Sequence, residues 1–497
     1  MNYCDELLKN ALFFKHKRLA HDVDTGREIT YGDFAARVKA TSAHLCALGI
    51  GPGVSVAIHL LNSIDAAIFH MAVQFVGARS CFIDALVQPA MLQYYLDLTQ
   101  AKLLSTHLDI SRVRSEIQGD IALLAASDIE SISHGSAHGA PSVPHSFAPD
   151  DVCYVYFTSG TTDKPKGVML TAENHRSFNR ICDAYWRPVT AASRHLCYVP
   201  FSHGFGTIFL LPLAIRTGSE LFIMRAFHPM RVTATIAEFD ITHIYGVPSH
   251  YQQLLRYPEK GALRRLEMAF CAAAKLEHDL MLAWAKATGT ILCEGYGLIE
   301  TCCGIVWRVG TPSLGTGHMG PCPDPELVAL RILGPDLVPR RAGETGQIAV
   351  RGDSVMEGYL KNPEETSRVI KDGWFLTGDA GYLTEDNQLF MTGRIKDIIN
   401  IAGIKVSPYE VEAVLLEHPE VAEVAVVATR DTLYGEVVKA YVRPEPCTTP
   451  TQREIIQFAA TRLINYQVPK QIEFLHEFPL NNMGKLDRNK LKALNPL

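Results

Sequence analysis

The segment Thr158-Ser159-Gly160-Thr161-Thr162-Asp163-Lys164-Pro165-Lys166-Gly167 sets hydroxyls, glycines and two lysines in one turn, directly after a strand-like run over 152–157. Hydroxyls and glycine-exposed backbone N–H groups can wrap phosphate oxygens, and a lysine adds a point charge. The segment is not the strict nucleotide loop G-x-x-x-x-G-K-[ST], because Pro165 stands where the second glycine belongs. Read alone, the same composition also makes a polar surface turn.

Four further segments have residue types that could serve the same chemistry. In Gly295-Tyr296-Gly297-Leu298-Ile299-Glu300-Thr301, two glycines let backbone approach a ligand and Tyr296 can stack on a flat base. Glu300 there can hold Mg²⁺, which prefers carboxylate plus phosphate oxygens. Thr377-Gly378-Asp379 ends in an acid able to accept hydrogen bonds from a ribose diol. Gly393-Arg394-Ile395-Lys396-Asp397 offers a planar guanidinium fork to phosphate or ribose oxygens. Near the C-terminus, Asn482-Met483-Gly484-Lys485 can present a lysine to another domain. Each alone also fits a turn or a solvated charge.

These segments sit on a regular scaffold. Thr30 and Asp33 cap a helix expected to run to about Ala47, a strand is expected over 54–60, and a helix over 63–76 ends at Gly77. Alternating helix and strand predicts an α/β fold with a largely parallel sheet. The Ser/Gly/His/Pro-rich stretch 133–149 reads as a loop between lobes. After Gly393 the character changes: helices are expected over 408–418 and 451–464, and strands over 423–428, 437–442 and 471–475. We therefore divide the chain into domains 1–393 and 394–497, the second a small α+β unit.

Composition excludes some classes. A chain of 497 residues is too long for one core. A net charge of −6 argues against nucleic acid as a partner. The longest apolar run, 205–215, is interrupted by Gly206 and Pro212 and falls short of the about 20 residues a membrane span needs. The twelve scattered cysteines show no C-x-x-C pair or metal-ligand spacing, and read as reduced cytoplasmic thiols filling cores.

In order and spacing these motifs, with Gly343-Glu344-Thr345-Gly346-Gln347-Ile348 and Gly358-Tyr359-Leu360-Lys361-Asn362-Pro363-Glu364-Glu365-Thr366, resemble the adenylate-forming superfamily of acyl-CoA synthetases, non-ribosomal peptide synthetase adenylation domains and beetle luciferases. The pattern is most similar to acyl- or aryl-CoA ligases. The resemblance implies a large N-terminal domain of α/β lobes with a small β-barrel-like subdomain, then a small mobile C-terminal lid. It implies a carboxylate attacking the α-phosphate of Mg·ATP, and a thiol then displacing AMP. The thiol is that of CoA or of the phosphopantetheine arm of a separate acyl carrier protein.

The resemblance assigns the phosphate contacts to Thr158, Ser159, Gly160, Thr161, Thr162 and Lys166. It places Ala273 and Ala274 beside the adenine, Tyr296 stacked on it, and Gly295, Gly297 and Ile299 along the nucleotide. Asp379 takes the ribose hydroxyls, Arg394 the ribose or phosphate, and Glu300 with Thr162 the metal. Lys396 falls at the hinge, Gly403 on the pantetheine path, and Lys485 bridges carboxylate and phosphate during adenylation.

Two departures stand out: Asp163 replaces a glycine in the phosphate loop, and Ile299 replaces the threonine before the glutamate. They keep open a second class of reading, a catalytically silent nucleotide- or acyl-binding homologue.

The acid pocket is implied by Pro200-Phe201-Ser202-His203-Gly204-Phe205-Gly206. No aspartate follows the motif's start to pair an α-ammonium, which disfavours amino acids. His203 matches the position near the reacting carboxylate. Phe205, Phe209 and Val247 line the acyl pocket by resemblance, and the two rings, four apart, are equally plain core. Glu294 falls beside the acyl group, where an acid is exposed, protonated or matched to a basic or hydroxylated substrate.

Overall fold

The computed structural model describes residues 3–158, 164–185, 189–257, 260–274, 276–315, 317–401, 404–431, 434–479 and 486–494. Two twisted sheets with helices carry the N-terminal part. A seven-stranded sheet has the order Gly358–Tyr359, Lys166–Thr171, Val152–Thr158, Arg79–Phe82, Ser55–His59, Leu103–Thr106, Ala122–Ala125. Its last five strands run parallel, and the first two pair antiparallel.

The eight-stranded sheet has the order Val306–Arg308, Leu292–Tyr296, Met268–Ala272, His243–Gly246, Arg194–Cys197, Glu220–Ile223, Arg18–Asp22, Glu28–Thr30. Its inner six strands are parallel and its two edges antiparallel.

The helix Ile64–Phe75 binds the two sheets together. Ser63 caps it, its hydroxyl accepting the Ala66 N–H, and every residue but Asp65 is buried. A helix apolar all round belongs inside a core, and this one touches Arg79–Phe82 of one sheet and Arg18–Asp22 of the other. The preceding helix, Tyr31–Ala47, starts where Thr30 accepts the Asp33 N–H. The stretch 133–149 is irregular but does not join lobes. It leads from the helix Ala126–Ser133 into Val152–Thr158 of the same sheet, with the His145 N–H bonded to Phe75 O.

A third, six-stranded antiparallel sheet has the order His318–Pro321, Gln388–Arg394, Trp374–Leu383, Gly346–Arg351, Ala329–Leu333, with Ile370–Lys371 added beside Trp374–Leu383. The barrel-like subdomain thus takes the form of an open sheet. Beyond it, Ile399–Ile401, Ile404–Val406, Val421–Asp431, Gly435–Pro444 and Gln471–Phe474 form a five-stranded sheet. The helices Pro408–Leu416 and Gln452–Ala460 pack on it around an apolar core of its own. Thr451 and Glu454 cap the second helix reciprocally. Among the described residues no helix is long and apolar enough to cross a membrane.

Candidate active site

An open cleft of about 600 Å³ lies where three parts meet. Its floor is the C-terminal ends of the parallel strands Met268–Ala272 and Leu292–Tyr296, the usual ligand position in such sheets. The antiparallel sheet contributes Gly317, Met319, Asp379 and Met391, and Arg394 and Tyr409 close the third side. Ala273, Ala274, Gly295, Tyr296 and Gly297 all line it, so five of the residues assigned to the nucleotide converge.

Local backbone explains the convergence. Ala273 turns the chain with φ +71°, a left-handed conformation costing a non-glycine residue roughly 1–2 kcal/mol. Gly297 must be glycine, because a Cβ there would stand 2.0 Å from Cys303 O and 2.6 Å from Gly304 Cα.

Asp379 is buried, and its Oδ2 accepts a hydrogen bond from the Tyr296 hydroxyl at 2.8 Å. Arg394 Nε lies 3.1 Å from Oδ1, yet Oδ1 has no hydrogen-bond partner: the charges are close but no N–H is aligned on the oxygen. Burial pushes the Asp379 carboxyl up, against the pull of Arg394. Asp379 in turn holds the Arg394 guanidinium above its ordinary value. The site therefore holds a buried acceptor oxygen on which no donor is aligned.

Glu300, in the 3₁₀ turn Ile299–Thr301, is buried and accepts the Tyr359 hydroxyl at 3.0 Å. Burial raises its pKa, and the Tyr359 bond opposes the rise. Lys166 is taken: it pairs with Glu365 and lies 5.0 Å over the Tyr359 ring. Lys396 is exposed in the 3₁₀ turn Ile395–Asp397, and partial desolvation, then Arg394, lower its pKa. Thr158 ends its strand paired with Lys166. Ser159, Gly160, Thr161, Thr162, Asp163, Gly403 and Lys485 lie outside the described residues.

His203 precedes a π-helix, Phe205–Leu210, that runs into the α-helix Leu211–Thr217. Phe205 and Phe209 touch with centroids 5.6 Å apart. Val247 is buried at the start of the helix Pro248–Arg256.

Two assignments need correction. The Ile299 side chain does not line the cleft. It packs towards Gly204, Ile208 and Cys303, its Cδ1 lying 3.0 Å from where a Gly204 Cβ would be, so an apolar residue suits the position. Glu294 does not line the cleft. It lies one pleat beneath Tyr296 and pairs with Arg308 at 3.1 Å, both side chains at most 3% exposed. Arg308 also reaches Met281 of the helix His278–Thr288. The Glu294 carboxyl is pushed up to about 7 by burial, against the pull of Arg308.

A family model described as AMP-binding enzyme matches residues 9–360, and one described as AMP-binding enzyme C-terminal domain matches 410–485. The chain belongs to the AMP-binding enzymes. It is 34% identical over 354 residues to the long-chain-fatty-acid–CoA ligase of Bacillus subtilis, a match covering 69% of this chain and 61% of that one. It is 29% identical over 495 residues to the 2-succinylbenzoate–CoA ligase of a Geobacillus species, covering 98% and 97%. The crystal structure of ATP-bound MatB from Rhodopseudomonas palustris superposes with a TM-score of 0.89 at 25% identity, covering 99% of each chain. This AMP-binding enzyme is an ATP-dependent, AMP-forming acid–thiol ligase of the acyl-CoA ligase type.

Its substrates are ATP, a small carboxylic acid and CoA, with Mg²⁺. Among the described residues no cluster of three or more His, Cys, Asp or Glu could hold a metal by protein ligands alone. The buried Glu300 carboxylate fits a cation held jointly by one protein acid and the nucleotide's phosphates. Tyr359 and Glu365 were quoted from sequence only as part of a motif; their roles against Glu300 and Lys166 depend on pairing across 59 and 199 positions. Arg308 gave no signal, since its partner is fixed by strand register. Tyr409 belongs to the C-terminal part and reaches the cleft only through folding.

Proposed function

We propose that this AMP-binding enzyme joins acid to thiol with the residues gathered in the cleft. Adenine lies between Tyr296 and the Ala273–Ala274 turn, and the ribose diol donates to Asp379 beside Arg394. The loop 158–162 and Lys166 take the phosphates, and Lys166 exchanges Glu365 for phosphate oxygens when ATP binds. Glu300 with Thr162 holds Mg²⁺, which when bound neutralises phosphate charge. His203 sits beside the acid, whose apolar part faces Phe205, Phe209 and Val247. The free Asp379 oxygen, buried on the antiparallel sheet next to a guanidinium and the hydroxyl of Tyr296, which ends a parallel strand, carries this reading.

Attack by a carboxylate on a phosphate brings two anions together, so the protein's task is positioning and charge neutralisation. The carboxylate oxygen bonds to the α-phosphorus and pyrophosphate leaves; Lys485 supplies the cation between them. We place the domain boundary at 393/394, with the C-terminal lobe turning about Arg394–Asp397 near Lys396. The thiol sulfur, arriving past Gly403, then bonds to the acyl carbon and AMP leaves. Twelve free thiols fit a reducing compartment, and we assign the enzyme to the cytoplasm.

Lys485→Ala tests this. Pyrophosphate exchange into ATP should fall by roughly 10²–10³, the scale of one oriented charge donor, while thioester formation from supplied acyl-AMP persists. Equal loss in both half-reactions would refute the turning lobe.

A further inference from the structure

Aromatic rings close one face of the eight-stranded sheet. Register sets Tyr245 opposite Phe270, Phe270 opposite Cys293 and Gly295 opposite Trp307, and paired residues share a face. The π-helix lies on that face. Phe205 stacks on Phe270 with centroids 5.9 Å and planes 21° apart. Phe209 meets Tyr245 at 5.8 Å and Trp307 at 6.2 Å. Gly295, which also lines the nucleotide cleft, has no side chain and would leave a gap in this layer. The gap is filled: a Cβ at Gly295 would stand 2.5 Å from Phe270 Cζ and 2.9 Å from Trp307 Cδ1. Phe270 is 3% exposed and Trp307 9%.

Resting on the ligase reading above, we propose that Phe270 and Trp307 wall off the acid site, so that this enzyme takes a short aliphatic acid and rejects aryl and long-chain acids. An acid whose carboxylate lies at His203 runs its tail between Phe205 and Gly295, and the two rings already occupy that path. Admitting more carbons means displacing a ring from an interior packed at crystal-like density, which forces neighbouring side chains out of their rotamers. The relatives named above act on a long-chain fatty acid and on 2-succinylbenzoate; the size limit is a property of this chain's own rings.

The test is acid-dependent exchange of labelled pyrophosphate into ATP, with acetate, propionate, butyrate, octanoate, benzoate and 4-coumarate. The intact enzyme should work on one of the first three with kcat/KM about tenfold or more above the last three, the scale set by misfit in an apolar pocket. Phe270→Ala should raise the value for octanoate or 4-coumarate about tenfold or more relative to butyrate, and the better-tolerated Phe270→Leu should shift it the same way by less. Octanoate, benzoate or 4-coumarate used by the intact enzyme as well as the short acids overturns the size limit and leaves the ligase reading standing. Exchange with no acid on the panel, by enzyme that binds ATP, overturns the ligase reading and the size limit with it.

Discussion

Arg308→Met isolates the charge buried beneath the nucleotide floor. Arg308 is fully buried, its Nη2 lies 3.1 Å from Glu294 Oε2, and Nη1 donates to Thr311 O at 3.0 Å. Glu294 Oε1 and Arg308 Nε have no hydrogen-bond partner, so one charge-assisted hydrogen bond, from Nη2 to Oε2, joins the pair. In the intact protein the Glu294 carboxyl rises from 4.5 to about 7 on folding. A folded value above the unfolded one means that Glu294 favours the fold fully below 4.5, and that this contribution is lost as pH rises through about 7. The loss levels off above about 7 because Arg308 supports the ionised form, and its total is about 3 kcal/mol.

Without the guanidinium, Glu294 stays neutral to higher pH, and the penalty keeps growing by about 1.4 kcal/mol per pH unit. The stability gap between variant and parent should be flat below about pH 7 and widen by about 3 kcal/mol between pH 7 and about pH 9. All four tryptophans precede residue 393, so urea unfolding followed by tryptophan fluorescence reads the part of the chain that holds the pair. Adding Glu294→Gln to Arg308→Met should abolish the widening. A gap that stays flat through pH 9 would show that Glu294 ionises in its pocket without Arg308, and would refute the reasoning.

Asp379→Ala should weaken ATP binding about 10- to 150-fold, the worth of one hydrogen bond to a charged group. Calorimetry with ATP and its 2′- and 3′-deoxy analogues checks the cause: the intact enzyme should bind a deoxy analogue less tightly, and the variant should not distinguish them. Tyr359→Phe removes a hydroxyl that, with a backbone N–H, lowers the Glu300 pKa against burial. Burial then raises that carboxyl further, so the acid limb of the pH–rate profile should move to higher pH and the Mg²⁺ requirement rise about fivefold, as for one net hydrogen bond. A profile identical to the parent's would separate Tyr359 from the function of Glu300.

What could be read in the sequence was what is local. Thr30 with Asp33, and Thr451 with Glu454, announce helix starts because a cap is a relation over three residues. Tyr296 and Asp379, each singled out beside an adjacent glycine, both line the cleft. The two assignments that moved, Glu294 and Ile299, lie within the legible motifs. Spacing places a residue near a site but does not say which way its side chain points. Glu294 has the correct strand and the wrong depth, one pleat beneath Tyr296. Ile299 faces the π-helix, a segment whose extra residue per turn no short-range pattern foretold.

The ring layer and the ion pair lie on opposite faces of one strand, and this links them. Along Leu292–Tyr296, Glu294 faces the helix His278–Thr288, Gly295 faces Trp307 and Phe270, and Tyr296 closes the nucleotide floor. The strand Val306–Arg308 repeats the division from the other side, with Trp307 opposite Gly295 and Arg308 opposite Glu294. A slip of one residue in this hairpin would exchange ring and guanidinium between the faces. It would put a charge in the acid path and leave Glu294 buried without a partner. The buried ion pair and the placement of Trp307 thus depend on the same register. On this argument, a double variant Glu294→Leu with Arg308→Met would retain much of its stability, as apolar replacements of buried pairs often do, while losing part of its discrimination among acids in the exchange assay. Unchanged discrimination would show that the hairpin keeps its register by ring packing alone.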